Sequence, residues 1–515
     1  MNTPSPDSSF ARPRDVILIS AVLLIYAFNL FSLITADPDL WGHVKFGETA
    51  WILGEIPQTD PFSYTAFGHR WINHEWAAEI LFYLIYKFLG STGLLVFKLA
   101  LGWTVVGILI YLSTRPREVR ANPWPLLLIL GLSIPVLAPG FMTRPHLFTL
   151  LFLSILWAML LRFFDGNRGA LLWSPVVLCA WANFHGGVVA GLGIYGAVAA
   201  VAFLRSRFTG DPEGKLVLIP FALSCLGVLV NPYGLDLWRF FVFTLSSPRA
   251  ITEWGPVPLF ATAFWQYKTL AVLFLVSLIV PTRKRIWEVL VVGIAFYFGF
   301  RHQRHIVLAG IVATPYLTLQ AAQVWERVRG RLPRFSVDFR WALWSCLLLF
   351  TAGQALDGIQ KYVPNRFRIL VEPQVYPSYA VGFLRANGIG GNIAVPFDWG
   401  EYVIWHLPHS KVSIDGRFRT VYPESVIEQN QNFVTGAGRW RDLLERYPTE
   451  IVLARKRDRV HERLLLEPGW IKIYEDPIAV IFITRSAESF TPVLESPAAG
   501  NLIQPREPPS FEFPG

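Results

Sequence analysis

Asp37-Pro38-Asp39-Leu40-Trp41-Gly42-His43 directly follows the first long apolar run of the chain, Val16–Ile34. Two carboxylates and an imidazole at the exit of a hydrophobic segment are costly beside hydrocarbon. Ionisable groups at that depth point to a functional site. The plainer reading is the start of a solvated loop, and the choice between them depends on topology. With Arg12 and Arg14 ahead of it, Val16–Ile34 is too long for the apolar core of a signal peptide. No small-residue cleavage site precedes Asp37, so the run reads as an uncleaved signal anchor.

Composition supports a membrane setting. Of 515 residues, 53% are hydrophobic and only 16% charged, whereas soluble domains carry about one quarter charged residues. The 20 Trp and 39 Phe fit interfacial aromatic belts. The formal charge of +9 does not point to nucleic acid, because the cations form short clusters between apolar runs and so report topology. Cys179, Cys225 and Cys346 all lie inside apolar runs, offering neither metal-ligand spacing nor a disulfide framework.

Apolar windows of about 17–22 residues can span hydrocarbon. They fall near 16–36, 92–113, 124–140, 146–164, 170–184, 187–204, 216–231, 266–281, 286–300, 306–322 and 341–357, about eleven in all. With a cytoplasmic N-terminus, each inside connection is basic: Arg115, Arg117 and Arg120; Arg162 and Arg168; Arg205, Arg207 and Lys215; Arg283, Lys284 and Arg285; and Arg327, Arg329, Arg331, Arg334 and Arg340. That is the bias the positive-inside rule requires. An odd number of spans puts the C-terminal region outside.

The expected fold is mainly α, a polytopic transmembrane bundle followed by a small extracytoplasmic α/β domain. Residues 1–15 are cytoplasmic, and 16–357 form the membrane domain with an outer loop at 37–91. Within that loop Glu75–Leu89 reads as an amphipathic surface helix with Trp76, Ile80, Leu81, Leu84 and Ile85 turned to the membrane. Residues 358–485 hold β-rich runs at Asn392–Pro396, Lys411–Ile414, Glu450–Ala454, Ile471–Tyr474 and Ala479–Thr484. These alternate with helical patterns at Tyr379–Asn387 and Arg439–Tyr447. Residues 486–515, rich in Pro, Ser and Glu, read as a disordered tail.

Polar motifs collect at the outer turns. Loop one carries Asp60-Pro61 and Asn73-His74-Glu75, and later turns carry Arg144-Pro145-His146, Asn183-Phe184-His185, Asn231-Pro232-Tyr233-Gly234, Glu253, and Arg301-His302-Gln303-Arg304-His305. Singly, each has a plain explanation: Arg144 snorkelling to headgroups, Asn183 and His185 bonding neighbouring helices, the Arg301–His305 group anchoring to anionic lipid. Jointly they favour one side, and not the side where cations normally gather. Asp37, Asp39, His43 and Glu75 are therefore the candidate catalytic residues. Candidate substrate-binding residues are Asp60, His74, Arg144, His146, Asn183, His185, Glu253, Arg301, His302, Arg304 and His305. For a polyprenyl-phosphate sugar, Arg144, Arg301 and Arg304 match phosphate oxygens, and Asp37 or Asp39 is the general base. Asp37 and Asp39 are also the candidate metal ligands, compatible with Mg²⁺ or Mn²⁺. No Gly-rich phosphate loop precedes a strand, so a nucleotide site is not supported.

The carboxylate motif after the first span, the long first outer loop with its surface helix and the outer C-terminal domain resemble the GT-C superfamily of membrane glycosyltransferases. That class includes protein O-mannosyltransferases, lipid A aminoarabinose transferases and oligosaccharyltransferase catalytic subunits. The resemblance covers about residues 16–485, and Asp37–Trp76 with Arg144-Pro145-His146, Trp181–Gly187, Asn231–Gly234 and Asp398–Gly416 is similar to a bacterial branch of it. It implies a lipid-phosphate-linked donor, inversion at the sugar carbon, and Asp37 and Asp39 as loop-one catalytic or metal-binding acids. Oligosaccharyltransferase subunits carry Trp-Trp-Asp-Tyr-Gly in the outer domain. Here Asp398-Trp399-Gly400-Glu401-Tyr402 does not reproduce it, which argues against peptide N-glycosylation. That run and Ile414-Asp415-Gly416-Arg417 read either as an acceptor-facing edge or, preferred slightly, as a helix cap and turn.

The sequence-level expectation is thus a glycosyltransferase of the bacterial plasma membrane. Its partners would be the bilayer, a polyprenyl-phosphate sugar and a glycan, lipid or protein acceptor. A lipid-linked glycan transporter and a non-catalytic glycan-assembly protein are the alternatives. A transporter would favour charged or broken-helix sites near the midplane. Topology is directly testable: a phosphatase reporter fused after Trp41 should be active and one fused after Arg207 inactive, and a cytosolic Trp41 would overturn the sidedness.

Overall fold

The computed structural model of the chain describes residues 13–115, 122–210, 213–246, 254–331, 337–485 and 510–515. The chain is mostly helical, and every expected apolar window holds a helix. In order they are α1 (Pro13–Leu30), α2 (Leu40–Leu53) in loop one, α3 (Trp76–Thr114), α4 (Pro123–Leu137), α5 (His146–Phe164), α6 (Ser174–Phe184), α7 (Val188–Thr209), α8 (Glu213–Gly227), α9 (Leu235–Ser246), α10 (Trp265–Ile279), α11 (Ile286–Arg301), α12 (Ile306–Val328) and α13 (Val337–Tyr362). Six helical segments among the described residues are long and apolar enough to cross a membrane: 76–114, 123–140, 146–164, 188–209, 303–328 and 341–362. The protein is a multi-pass membrane protein. The structure does not carry the count of eleven. At 1.5 Å per residue, the 15 residues of α8 and of α10 reach roughly 22 Å, short of a hydrocarbon core of about 30 Å. In the 170–184 window a 3₁₀ segment, Arg168–Trp173, shortens α6 to 11 residues.

The chain divides into two compact units, 1–33 with 96–366 and 34–95 with 367–515. The helical unit is built around α12, whose buried face includes Ile311, Thr314, Pro315 and Thr318. Hydroxyls join its helices: Thr314 Oγ1 donates to Ser133 Oγ (2.7 Å), and Ser277 Oγ bonds Tyr316 Oη (3.0 Å). Such bonds replace the hydrophobic drive that lipid cannot supply. Three connections expected on the cytoplasmic side meet at one ion cluster. Asp165 pairs with Arg285 at 2.6 Å and with Arg115.

The second unit holds a five-stranded sheet. Its strands are β1 (Asn392–Ala394), β2 (Lys411–Val412), β3 (Ile451–Arg455), β4 (Trp470–Glu475) and β5 (Ala479–Thr484), in the order β2-β1-β3-β5-β4. The five expected β-runs are these strands. β1 pairs in parallel with β2 and β3, and β5 lies antiparallel between β3 and β4. β3 and β5 read as continuous apolar runs because the sheet is covered there. Helices α14 (Ser378–Ala386), α15 (Gly400–His406), α16 (Glu424–Thr435), α17 (Asp442–Arg446) and α18 (Arg459–Leu464) accompany it. Phe433, Leu443, Val460 and Leu464 pack with Val452 and Phe482. A second core joins Phe46, Ala66 and Trp71 of loop one to Ile414, Val421 and Val426. Loop one therefore folds with the sheet rather than as part of the helical unit.

The expected surface helix is the first part of α3, which turns Ala78, Glu79, Phe82 and Tyr83 to the interior of its unit. Trp76, Ile80, Leu81, Leu84 and Ile85 are only half-buried. α3 breaks at Gly90, with φ 63° and ψ −160°, a conformation essentially restricted to glycine. Of the expected tail, 486–509 lies outside the described residues, while 510–515 packs against the second unit with Phe513 buried. Nothing lies within 4 Å of a Cβ added at Gly90, so Gly90→Ala isolates the backbone effect. It should cost about 1–3 kcal/mol, read as a lowered thermal midpoint of the purified protein in detergent.

Candidate functional site

The loop-one acids open α2. Asp37 Oδ1 accepts the backbone N–H of Asp39 at 3.1 Å, a local turn that starts the helix. Asp37 is buried and Asp39, the N-cap residue, only partly so. A carboxylate there is favoured by the positive end of the helix dipole.

Two runs of the second unit close on this helix start. Glu401, in the first turn of α15 and 3% exposed, accepts the Gly42 backbone N–H through Oε2 at 3.1 Å. A Cβ on Gly42 would sit 2.1 Å from that oxygen, so only glycine lets the carboxylate reach the backbone. Gly416 has the same meaning from the other side. A Cβ there would lie 2.5 Å from Asp39 Oδ1 and 2.5 Å from Glu401 Oε1. The carboxyl groups of Asp39 and Glu401 thus stand side by side over a bare backbone. Burial, and next the charges of Asp39 and Asp415, push the Glu401 carboxyl well above its ordinary value.

Asp415 and Asp60 hold Arg417. Asp415 Oδ1 accepts from Arg417 N (3.0 Å) and Nε (2.8 Å), its Oδ2 accepts from Nη2 (2.6 Å) and Tyr422 Oη (2.6 Å), and Nη1 donates to Asp60 Oδ1 at 2.7 Å. The guanidinium lies 4.9, 5.1 and 4.8 Å from the ring centres of Phe46, Phe62 and Trp71, where cation–π attraction adds to the ion pairs. Burial opposes the Arg417 charge, but Asp415 and Asp60 outweigh it and raise its pKa. Asp60 also accepts the N–H groups of Phe62 (2.9 Å) and Ser63 (3.1 Å) and is 1% exposed. The expected substrate-binding Asp60 is thus enclosed by Arg417 and the backbone of Phe62 and Ser63.

A third cluster lies along α2 and the start of α3. His43 Nδ1 is 3.4 Å from Glu79 Oε1, and Glu79 Oε2 accepts from Asn73 Nδ2 at 2.6 Å. Glu75 and Glu79 are one helical turn apart and share a face. Ligand atoms of His43, Glu75 and Glu79 all lie within 4.8 Å of one another. His74 Nε2 is 3.6 Å from Glu75 Oε1. Burial alone would lower the His43 pKa, but the hydrogen bond to Glu79 and the charges of Glu75, Glu79 and Asp39 raise it.

The remaining candidates belong to the helical unit. His146 Nε2 donates to Gly140 O at 2.6 Å. Asn183 Nδ2 donates to Cys179 O and Val230 O, each at 2.9 Å, tying two of the turns expected on the outer side. His185 Nδ1 accepts the Gly187 N–H (2.9 Å) and bonds Thr149 Oγ1 (2.7 Å). His302 Nδ1 donates to Trp254 O at 2.8 Å, and Arg304 lies 5.0 Å over the Trp254 ring, against which His305 also packs. Arg301 and Arg304 are exposed and Arg144 is half-buried. Glu253 lies outside the described residues. Structure therefore joins Asp37, Asp39, His43, His74 and Glu75 in one unit, and His302, Arg304 and His305 around Trp254 in the other. Sequence reasoning missed Glu79, and it left Glu401, Asp415 and Arg417 in runs read by slight preference as a helix cap and turn. The signals were the Glu75/Glu79 spacing and the glycines Gly42 and Gly416 beside acids.

No family model matches the sequence, and no curated protein matches it. Among solved structures the chain is similar to the archaeal oligosaccharyltransferase AglB from Archaeoglobus fulgidus in complex with an inhibitory peptide and a dolichol-phosphate. The TM-score is 0.59 at 12% identity, over 85% of this chain and 69% of that one. The apo form of the Archaeoglobus fulgidus oligosaccharyltransferase gives 0.56 at 10% identity, with the same coverage. ArnT from Cupriavidus metallidurans bound to undecaprenyl phosphate gives 0.50 at 12%, over 92% of this chain and 98% of that one. These neighbours belong to the GT-C superfamily, and the chain has its fold.

The raised Glu401 carboxyl gives a pH signature. It keeps its proton in the folded protein where the unfolded chain, near the ordinary value of 4.5, has lost it. Stability from this group is therefore full below about 4.5 and is lost as pH rises towards the folded value. Glu401→Gln, which stays neutral, should unfold at a higher temperature than wild type at pH 7–8 and match it near pH 4, in thermal melts across that range.

Proposed function

We propose that the protein is a membrane glycosyltransferase that moves a sugar from a polyprenyl-phosphate-linked donor to an extracytoplasmic glycan, lipid or protein acceptor. The observation that carries this reading is the carboxyl pair of Asp39 and Glu401 at the loop-one helix start of a GT-C fold. The solved neighbours in complex with dolichol-phosphate and undecaprenyl phosphate support the class of donor.

Asp39 is the better base of the loop-one pair. Asp37 is buried and spends an oxygen on the turn, whereas Asp39 is partly exposed beside Glu401. In transfer with inversion, the acceptor oxygen forms a bond to the anomeric carbon as the bond to the phosphate oxygen breaks. The acceptor proton passes to Asp39 and the electron pair leaves with the phosphate. Glu401, holding its own proton, limits like-charge repulsion on Asp39 and fixes the helix start through Gly42. Developing charge on the leaving phosphate calls for cations, and Arg144, Arg301 and Arg304 are assigned to it on their chemistry. The enzyme is placed in the bacterial plasma membrane with its N-terminus cytoplasmic and its sheet unit outside.

Mg²⁺ or Mn²⁺ fits the donor set of His43, Glu75 and Glu79, two carboxylates and an imidazole with mutually close ligand atoms. This group differs from the Asp37–Asp39 pair expected from sequence. When bound, such an ion supplies positive charge for the departing phosphate. Asn73 orients Glu79 for that role.

Asp39→Asn should lower sugar transfer by at least about 10²-fold while expression and lipid binding stay near wild type. The readout is mass spectrometry of lipid-linked and surface glycans in a deletion strain complemented with each form. Full transfer by the Asn variant would overturn the reading.

A further inference from the structure

Residues 510–515, Ser-Phe-Glu-Phe-Pro-Gly, make a small β-ribbon with the chain that leads into the acid motif. Val371 N donates to Phe511 O (2.9 Å) and Phe513 N to Ile369 O (2.8 Å). Leu370 in turn exchanges bonds with the Ile34–Ala36 strand, both at 2.7 Å. The ribbon therefore ends one residue before Asp37.

The same segment reaches both helices of the acid pair. Pro514 O accepts the indole N–H of Trp41 at 2.7 Å and the Nε2–H of His406 at 2.9 Å. A carbonyl has two lone pairs, and here one is given to α2 and the other to α15. Phe513, 2% exposed, packs 5.2 Å from Trp41 and 5.4 Å from Tyr86, ring centre to ring centre. Glu512 pairs with Arg368 and accepts from Ser91 Oγ at 3.2 Å. Burial lowers the His406 pKa to about 4, and the bond to a carbonyl, which only accepts, puts the one ring proton of the neutral imidazole on Nε2.

We infer that residues 511–514 are a positioning strap, which sets α2 against α15 and thereby keeps the Gly42 N–H on Glu401 and Asp39 beside it. Trp41 and His406 act through Pro514 and touch no reacting atom, so they are positioning residues. Only the strap's consequence for catalysis rests on the glycosyltransferase reading; its structural effect stands apart from it.

The test is hydrogen–deuterium exchange of the full-length protein in detergent, read by mass spectrometry over peptides covering 40–46 and 400–406. Phe513→Ala should speed exchange in both peptides by at least about tenfold and leave β3 and β5 protected. Arg368→Ala, which removes only the partner of Glu512 at an exposed edge, should produce the same pattern more weakly. It also serves if the first variant does not fold. Unchanged exchange in both peptides would overturn the strap. Faster exchange with normal sugar transfer would keep the strap and remove Asp39 and Glu401 from catalysis, so the two readings fail separately.

Discussion

The hydrogen bond from the Gly42 N–H to Glu401 fixes the geometry on which the candidate site depends. It joins residues 359 positions apart, and it exists because position 42 has no side chain. Any Cβ there would occupy the space of the Glu401 carboxylate. A helix start has N–H groups without intrahelical partners, and one of them is satisfied here by a buried acid from another helix. Loop one thereby becomes part of the sheet unit, and its acids acquire a low-dielectric neighbour that a solvated loop would not give them.

Around that contact, charges are sorted rather than simply gathered. Arg417 is enclosed by Asp415, Asp60 and three aromatic rings. Removing one partner of such a buried pair leaves an uncompensated charge and typically costs about 3–5 kcal/mol. The cation is committed to holding Asp415-Gly416 against loop one. Burial, and next the charges of Asp39 and Asp415, raise the Glu401 carboxyl, and the Arg417 charge offsets only part of that. A few residues away, the second acid pair, Glu75 and Glu79, is balanced by His43 and Asn73.

Much of the fold was legible in the sequence because it rests on local pattern. The apolar windows became helices, the five β-rich runs became the strands, and the loop-one surface helix ends at the glycine where α3 breaks. The crossing count was less legible, since a 3₁₀ segment at Arg168–Trp173 shortens a helix whose apolar window runs through it. The site was half legible. Asp37, Asp39, His43 and Glu75 stood out as ionisable groups beside an apolar run. Glu401 and Arg417 did not, because their meaning is non-local. The Asp415–Arg417 turn expected from sequence is present, yet the Arg417 side chain also locks Asp60 from loop one. The burial of Asp60 was hidden for the complementary reason: an acid in an exposed-looking turn is enclosed once Arg417 arrives. Pro514 gave no signal at all, since a backbone carbonyl as shared acceptor leaves no trace in side-chain composition.

Two neighbouring carboxyl groups, one of them buried, resist carrying two negative charges together. Burial and the charge of Asp39 raise the Glu401 carboxyl in keeping with that constraint. A proton retained on Glu401 suppresses one of the two charges. A cation held by His43, one turn along α2 from Asp39, and by Glu75 and Glu79 at the start of α3 would add positive charge nearby. The two arrangements differ in where the compensating charge lies, but both require the helix start of α2 to be held against α15. What the fold preserves is therefore the approach of two backbones at Gly42 and Gly416, and the ionisation of the acids follows from it.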